Sequence, residues 1–282
     1  MGYLHIDNLY KNIEIMLFKE CYALEKIHGT SAHLGFNGGE IRYFSGGGKH
    51  QSFVDLFDEE NLKKKFKELS NENVVIYGES YGGKQQGMSD TYGKEPKFVA
   101  FDVKIGEYWL DVANAEEVVK SLGLEFVDYV KIKTDLKLID IERDRPSMQA
   151  RRNFIVGDKK REGVVLRPLK ELTRNDGKRI IVKHKGDDFK ETKTKREVDP
   201  EKLKVLEDAE KIANEWVTPM RLTHVLDKLD NPTEMSEVRN VIIAMIEDVY
   251  REAKNEIVES KTVEKAIGKK TVELYKNKIS KI

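Results

Sequence analysis

Cysteine is nearly absent from this chain. Cys21 stands alone among 282 residues, which rules out an internal disulfide, and its apolar setting before Tyr22 reads as a buried thiol rather than a catalytic one. Long apolar runs are missing as well. No segment approaches the ~18 uninterrupted apolar residues of a membrane span, and the first ten residues lack the basic and apolar regions of a signal peptide. A soluble, cytoplasmic chain with no membrane partner is expected, acting as a monomer. Nor does either sign of charge dominate: 50 lysines and arginines balance 50 aspartates and glutamates. That balance argues against a polyanion-binding surface over the whole protein and leaves room for local basic patches. What the chain has in quantity is charge of both signs, 35% of its residues, beside a 39% hydrophobic fraction that suffices for a core. The length allows one large domain or two.

The most informative stretch is Glu25-Lys26-Ile27-His28-Gly29-Thr30-Ser31, flanked by apolar, strand-like runs at 22–24 and 32–36. Strand on both sides gives the lysine a fixed direction, and Gly29 lets a bulky ligand approach the backbone. Lysine amines become nucleophiles when burial or neighbouring positive charge favours their neutral form. On its own the stretch also fits a solvated lysine at a strand edge.

Further along, alternation and turn residues predict the elements. Gly38-Gly39 joins the strand after the lysine to a return strand bearing Arg42, as a hairpin. Residues 58–69 carry Leu62, Phe66 and Leu69 at helical spacing. Residues 78–84 fit the start of a P-loop, but Gln85 stands where a magnesium-binding hydroxyl is required and no helix follows to meet phosphate. The reading there is a strand ending in Tyr77-Gly78-Glu79, a disordered polar loop to about Glu95, and a buried strand at 98–102. A helix is expected over 111–122, a strand over 124–132, and a basic mobile loop from Arg143 to Arg152. A strand at 162–166 then leads through the turn at 175–177 to one at 179–185, where Lys183 and Lys185 share a face because side chains repeat every two residues. From Asp199-Pro200 the pattern is helical throughout, with breaks at Thr218-Pro219 and Asn231-Pro232. The last 22 residues hold seven lysines and two glutamates, which suits a solubilising helix or a contact to phosphate.

Five stretches in order carry more weight than any one: the lysine stretch, Tyr77-Gly78-Glu79, residues 98–102 ending in Phe101-Asp102, Glu162-Gly163-Val164-Val165, and Lys183-His184-Lys185. Together they resemble motifs I, III, IIIa, IV and V of the covalent nucleotidyltransferases, the superfamily of ATP-dependent DNA ligases, RNA ligases and capping enzymes. The nearest resemblance is to bacteriophage-type RNA ligases that seal nicks in duplex RNA. It implies an α+β fold: a two-sheet nucleotidyltransferase core, ATP-grasp-like, over residues 1–194, and an all-α C-terminal domain over 195–282. DNA ligases and capping enzymes follow the core with a small β-barrel, so the helical ending favours an RNA ligase.

The resemblance also implies roles. Lys26 would attack ATP and carry the adenylate, which passes to a 5′-phosphate and is displaced by a 3′-hydroxyl. Splitting a hard step through a covalent intermediate is the general use of nucleophilic catalysis. Lys183 and Lys185 would favour a neutral Lys26 and stabilise charge on the α-phosphate. Glu162 would help hold a hydrated Mg2+, for which Mn2+ can substitute, and Glu79 would contact the ribose or a second metal position. Asp102 would bind metal or hold neighbouring lysines, and Phe101 would stack on adenine. Glu25 resembles the position that reads the adenine edge, mostly through a backbone-adjacent contact; Arg42 would meet the 5′-phosphate, and Arg167 a phosphate or the ribose. His28 stands where many members have aspartate, and beside Gly29 it matches the duplex-RNA sealers; Ser31 stands where those often have asparagine. The expected partners are ATP and RNA bearing 3′-hydroxyl and 5′-phosphate ends, nicked or single-stranded. Two alternatives stay open: a nick ligase acting on DNA or mixed strands, and a nucleic-acid-binding protein with a decayed ligase core. The retained Lys26, Lys183 and Lys185 count against decay.

Overall fold

The structure is a computed structural model that describes residues 2–69, 73–174, 176–189, 197–254 and 256–280. The chain divides into two compact units, Met1–Glu197 and Val198–Ile282. The boundary expected at 194/195 lies outside the described residues, as does Asn175 of the expected turn.

The first unit contains β1 (Asp7–Asn8), β2 (Glu20–Lys26), β3 (Thr30–Asn37), β4 (Glu40–Phe44) and β5 (Val74–Gly82). These are followed by β6 (Pro96–Ile105), β7 (Tyr108–Trp109), β8 (Tyr129–Lys133), β9 (Gly163–Pro168) and β10 (Val182–Lys185). One sheet has the order β1-β10-β9-β2-β8 and the other β4-β3-β5-β6-β7. Among these strand pairs of the described residues, β1–β10 is parallel and the others are antiparallel. Consecutive strands β2 and β3 belong to different sheets, so residues 27–29 carry the chain from one to the other. Alternation sets which faces are covered: on β3, Ala32, Leu34 and Phe36 are buried and the residues between them less so. Leu24 from one sheet and Leu34, Ile76 and Val99 from the other share one apolar core.

Helices α1 (His50–Val54) and α2 (Glu59–Leu69) follow β4, and α2 seats Leu62 and Phe66 in that core, as their spacing predicts. The expected polar loop before Glu95 is ordered instead. Strand β5 runs on to Gly82, and α3 (Ser89–Tyr92) places Tyr92 fully inside. Four residues are too few to show a helical period. Helix α4 (Val112–Ser121) matches expectation, whereas the strand expected over 124–132 is shorter and starts at Tyr129. Helix α5 (Leu136–Arg143) leads into the expected basic loop, which itself contains α6 (Met148–Arg152), capped by Ser147, whose side chain accepts from Ala150 N.

The second unit contains α7 (Pro200–Trp216), α8 (Pro219–Asp227), α9 (Val238–Glu252) and α10 (Lys261–Ile279). Asp199, Thr218 and Ser260 cap three of these through their side chains, and Pro200 and Pro219 sit in first turns. Val225, Val241, Met245 and Ile267 form its separate core. No helix among the described residues is long and apolar enough to cross a membrane. Cys21 is fully buried, and burial pushes its thiol up to about 12.

A buried ionic cluster ties the two sheets together. Asp102 on β6 is fully buried. Its Oδ1 accepts from Arg167 Nη1 at 2.9 Å; its Oδ2 accepts from Arg179 Nη1 and from the Tyr3 hydroxyl, both at 2.6 Å. Arg167 lies on β9 in the opposite sheet and also donates to Glu171 and to the Leu110 carbonyl. Arg179 lies over the Trp109 ring at 4.1 Å. This arrangement corrects one expectation: Asp102 holds arginines rather than lysines or a metal, because it is fully buried, lies outside the cavity lining and has both oxygens engaged by guanidinium groups. Arg167 gives its Nη groups to the protein, while its side chain lines the cavity and its Nε has no partner among the described residues.

Replacing Asp102 by alanine would leave two guanidinium groups buried without it, and such breaks cost ~3–5 kcal/mol. Each unit has one tryptophan, Trp109 or Trp216, so in a Trp216→Phe background the Trp109 fluorescence reports the first unit. Urea unfolding of Asp102→Ala in that background should show a loss of this size. An unchanged midpoint would mean the cluster contributes nothing.

Candidate active site

The register of β9 assembles the site. Gly163 pairs with Lys26 of β2 on one side and with Lys185 of β10 on the other. A side chain is excluded at Gly163: its φ is +151° and an added Cβ would lie 2.2 Å from the His184 carbonyl oxygen. Glu162, one residue earlier, therefore enters between the ends of both neighbouring strands. Its carboxylate is 2% exposed and meets three cationic or ionisable groups. Oε2 lies 3.0 Å from Lys26 Nζ and 3.1 Å from His28 Nδ1, and Oε1 lies 3.0 Å from Lys185 Nζ. Burial pushes the Glu162 carboxyl up, but the ammonium groups of Lys26 and Lys185 outweigh it and hold it below the usual carboxylate range.

Beside this cluster is a cavity of about 410 Å³ reached by residues of both sheets, among them Lys26, Ser31, Glu79, Phe101 and Lys183. Leu24, Val165 and Ile181 give it apolar walls. An apolar space with a few polar groups at its edges has the build and size of a small-molecule site. Phe101 presents a ring there, edge-on to Tyr3 at 4.9 Å. Strand alternation separates β10 as expected. Lys183 lines the cavity and Lys185 reaches Glu162, while His184 between them turns to Asp140 Oδ1 at 2.7 Å and to Arg143.

The crossing between sheets is fixed by backbone contacts. Gly29 N donates to Glu79 Oε1 at 3.0 Å, and His28 N donates to the Tyr92 hydroxyl at 3.2 Å. At Gly29 an added Cβ would lie 2.3 Å from the Ser80 carbonyl oxygen, so the close approach there is between strands of the protein itself. Burial pushes the Glu79 carboxyl up to about 7, against the pull of Lys26 and with the help of nearby Glu162. The Ser31 hydroxyl is buried at the cavity wall with no hydrogen-bond partner among the described residues. A ligand acceptor would satisfy it.

Glu25 has partners the sequence did not announce. Its carboxylate is 2% exposed and accepts from Ser147 Oγ at 2.5 Å, Met148 N at 2.9 Å and Gln149 N at 3.2 Å. It caps α6 from the wall of the cavity, which leaves the backbone beside it for the contact expected at this position. Arg42 is exposed on edge strand β4 and is not among the cavity-lining residues. Sequence reasoning missed Ser147 and Tyr92, although a serine after Pro146 is an N-cap signal. It also missed the N-terminal residues 3–6, which line the cavity; nothing in their composition announces that.

Among the described residues no group of three or more His, Cys, Asp or Glu side chains could hold a metal ion. Two carboxylates, Glu162 and Glu79, remain near the lysines. Glu162 is engaged by Lys26, His28 and Lys185, and Glu79 Oε1 by Gly29 N, so the two suit magnesium only through its retained waters, with substrate phosphates as the direct ligands.

A family model described as RNA ligase matches residues 19–185. No curated protein matches by sequence. Among solved structures, an arginine-to-alanine mutant of Naegleria gruberi RNA ligase with ATP and Mn aligns with a TM-score of 0.52 at 18% identity, covering 67% of this chain and 57% of that one. A lysine-to-methionine mutant of the same ligase with AMP and Mn gives the same figures. The ligase with PPi aligns with a TM-score of 0.51 at 19% identity over the same shares. At these identities the likeness is one of fold, and the alignment spans little more than half the length of the solved chains.

The position of Glu79 makes stability depend on pH. Its folded-state value near 7 lies above the ordinary 4.5, so the folded chain keeps a proton that the unfolded chain releases. The associated stability is fully present below about 4.5 and is lost as pH rises through about 7. Glu79→Gln lacks that titration. Its unfolding midpoint should gain on the wild type across the window, and parallel curves would contradict the assignment.

Proposed function

The chain belongs to the RNA ligase family, and we propose that it is an ATP-dependent polynucleotide ligase that joins RNA 3′-hydroxyl and 5′-phosphate ends. The observation that carries this reading is the convergence of Lys26, His28 and Lys185 on buried Glu162, beside a cavity that Phe101, Glu79 and Lys183 also line. The helical second unit supports RNA over DNA. ATP and Mn in the Naegleria structures support ATP and a divalent cation here.

This reading has three steps. Lys26 Nζ, having given up one proton, forms a bond to the α-phosphorus of ATP; the bond to the bridging oxygen breaks and pyrophosphate leaves. An oxygen of the RNA 5′-phosphate then attacks the same phosphorus, and Lys26 departs and recovers a proton. Finally the 3′-hydroxyl oxygen attacks the 5′-phosphorus, its proton is lost and AMP leaves. Glu162 aims the Lys26 amine. Lys183 and Lys185 place positive charge where the phosphoryl oxygens become more negative, a main source of catalysis in such transfers. Phe101 offers a face for the adenine, and Glu79 an acceptor for the ribose. A divalent cation, Mg2+ by expectation, would be held through water by Glu162 and Glu79 and would neutralise phosphate charge when bound.

Incubation with α-labelled ATP and Mg2+ should leave an acid-stable label on the wild-type chain and none on Lys26→Ala. The adenylated protein should then seal a nicked RNA duplex or single-stranded RNA faster than a nicked DNA duplex. Label retained by Lys26→Ala would overturn the assignment of the nucleophile, and faster DNA sealing would favour a DNA nick ligase.

A further inference from the structure

Phe154 occupies a position that helix geometry reserves for glycine. Helix α6 ends at Asn153 with a paired closure: Phe154 N donates to the Arg151 carbonyl at 2.9 Å, and Ile155 N to the Ala150 carbonyl at 3.1 Å. This is the Schellman arrangement, whose first residue beyond the cap takes left-handed backbone angles and is usually glycine. Here that residue is phenylalanine with φ +59°, which is unfavourable for a bulky side chain. The ring gains no packing in return, because Phe154 is 92% exposed and nearby Val156 is 90% exposed. A strained backbone with no structural return is grounds for a functional hypothesis.

The turn is tied to both sides of the nucleophile. At the start of α6, Ser147 and the first amides bind Glu25, which precedes Lys26. At its end, Asn153 Nδ2 donates to the Tyr92 carbonyl at 2.9 Å, and the Tyr92 hydroxyl accepts from His28 N. Close to Phe154 in sequence the chain carries Arg151, Lys159 and Lys160 against Asp158, while Arg152 is held by the Phe126 carbonyl and Asp128. The pairs Arg151–Asp158 and Lys160–Asp188 are exposed at the surface, and such pairs exchange readily for other anions. Two apolar side chains among cations are too small a patch for a protein interface. An exposed aromatic ring among cations is what holds single-stranded nucleic acid, the ring stacking on a base and the cations following the backbone.

We infer that Phe154 is a stacking platform for an unpaired base of the RNA substrate, with Arg151, Lys159 and Lys160 on its phosphates. This rests on the ligase reading given above and adds a surface outside the adenylate cavity. The test uses the full chain and a fluorescently labelled, 5′-phosphorylated single-stranded oligoribonucleotide. Phe154→Gly should bind it about tenfold more weakly, without a lower melting temperature, since glycine suits the backbone better. Phe154→Trp should keep the affinity, and its added indole should be quenched by the RNA. RNA affinity unchanged in Phe154→Gly would overturn the inference, and so would a lowered melting temperature, which would show the ring to be part of the fold. Lysine-adenylate formation and RNA binding by the wild-type chain serve as the control: loss of either condemns the ligase reading itself, whereas both present with Phe154→Gly unaffected condemns only the platform.

Discussion

A carboxylate removed from water must be met by positive charge, and at Glu162 that requirement organises the centre of the first unit. Taking an ion out of water costs several kcal/mol even after relaxation. The cost is offset here because Lys26, His28 and Lys185 approach two oxygens from three segments. Each of those segments ends or crosses at this point: β2 at Lys26, the crossing between sheets at His28, and β10 at Lys185. Gly163 permits it by letting β10 pass where any side chain would collide. Lys26 and Lys183 line the adjoining cavity, so positive charge stands at the wall of a space open to an anionic ligand.

The same device recurs as framework. Asp102 binds Arg167 and Arg179 and so joins the two sheets. Glu25 binds the start of α6 and fixes the backbone next to Lys26. Four acidic residues carried expectations of ligand or metal contact, and they divide by the partners they hold. Asp102 holds two arginines and Glu25 holds the start of α6. Glu162 holds Lys26, His28 and Lys185, and Glu79, which lines the cavity, is pushed towards neutrality by burial.

The parts of this organisation that were legible in the sequence are those set by short-range rules. Period-two alternation placed Lys183 and Lys185 on one face of a strand, and helical spacing placed Leu62 and Phe66 in the core. Glycines beside Lys26 and Glu162 marked close approaches of backbone, though between strands of the protein. The order of five short motifs pointed to the family. What stayed hidden depends on partners far along the chain. Nothing near Asp102 announces two arginines and a tyrosine from residues 167, 179 and 3. Helices α3 and α6, of four and five residues, are too short to show a period, so Tyr92 and Ser147 looked like loop. The arginines of α6 read as a mobile basic segment because charge is visible in a sequence and a cap on a distant glutamate is not.

The central claim, that Glu162 aims the reacting amine, is tested most directly by the single-turnover rate of lysine-adenylate formation in Glu162→Gln. The glutamine keeps the shape and removes the charge that gathers Lys26, His28 and Lys185. The rate should fall on the order of a hundredfold or more, the scale of removing one preorganised electrostatic group. A rate equal to that of the wild type would show that the cluster is only a structural clasp and that the amine is positioned by something else.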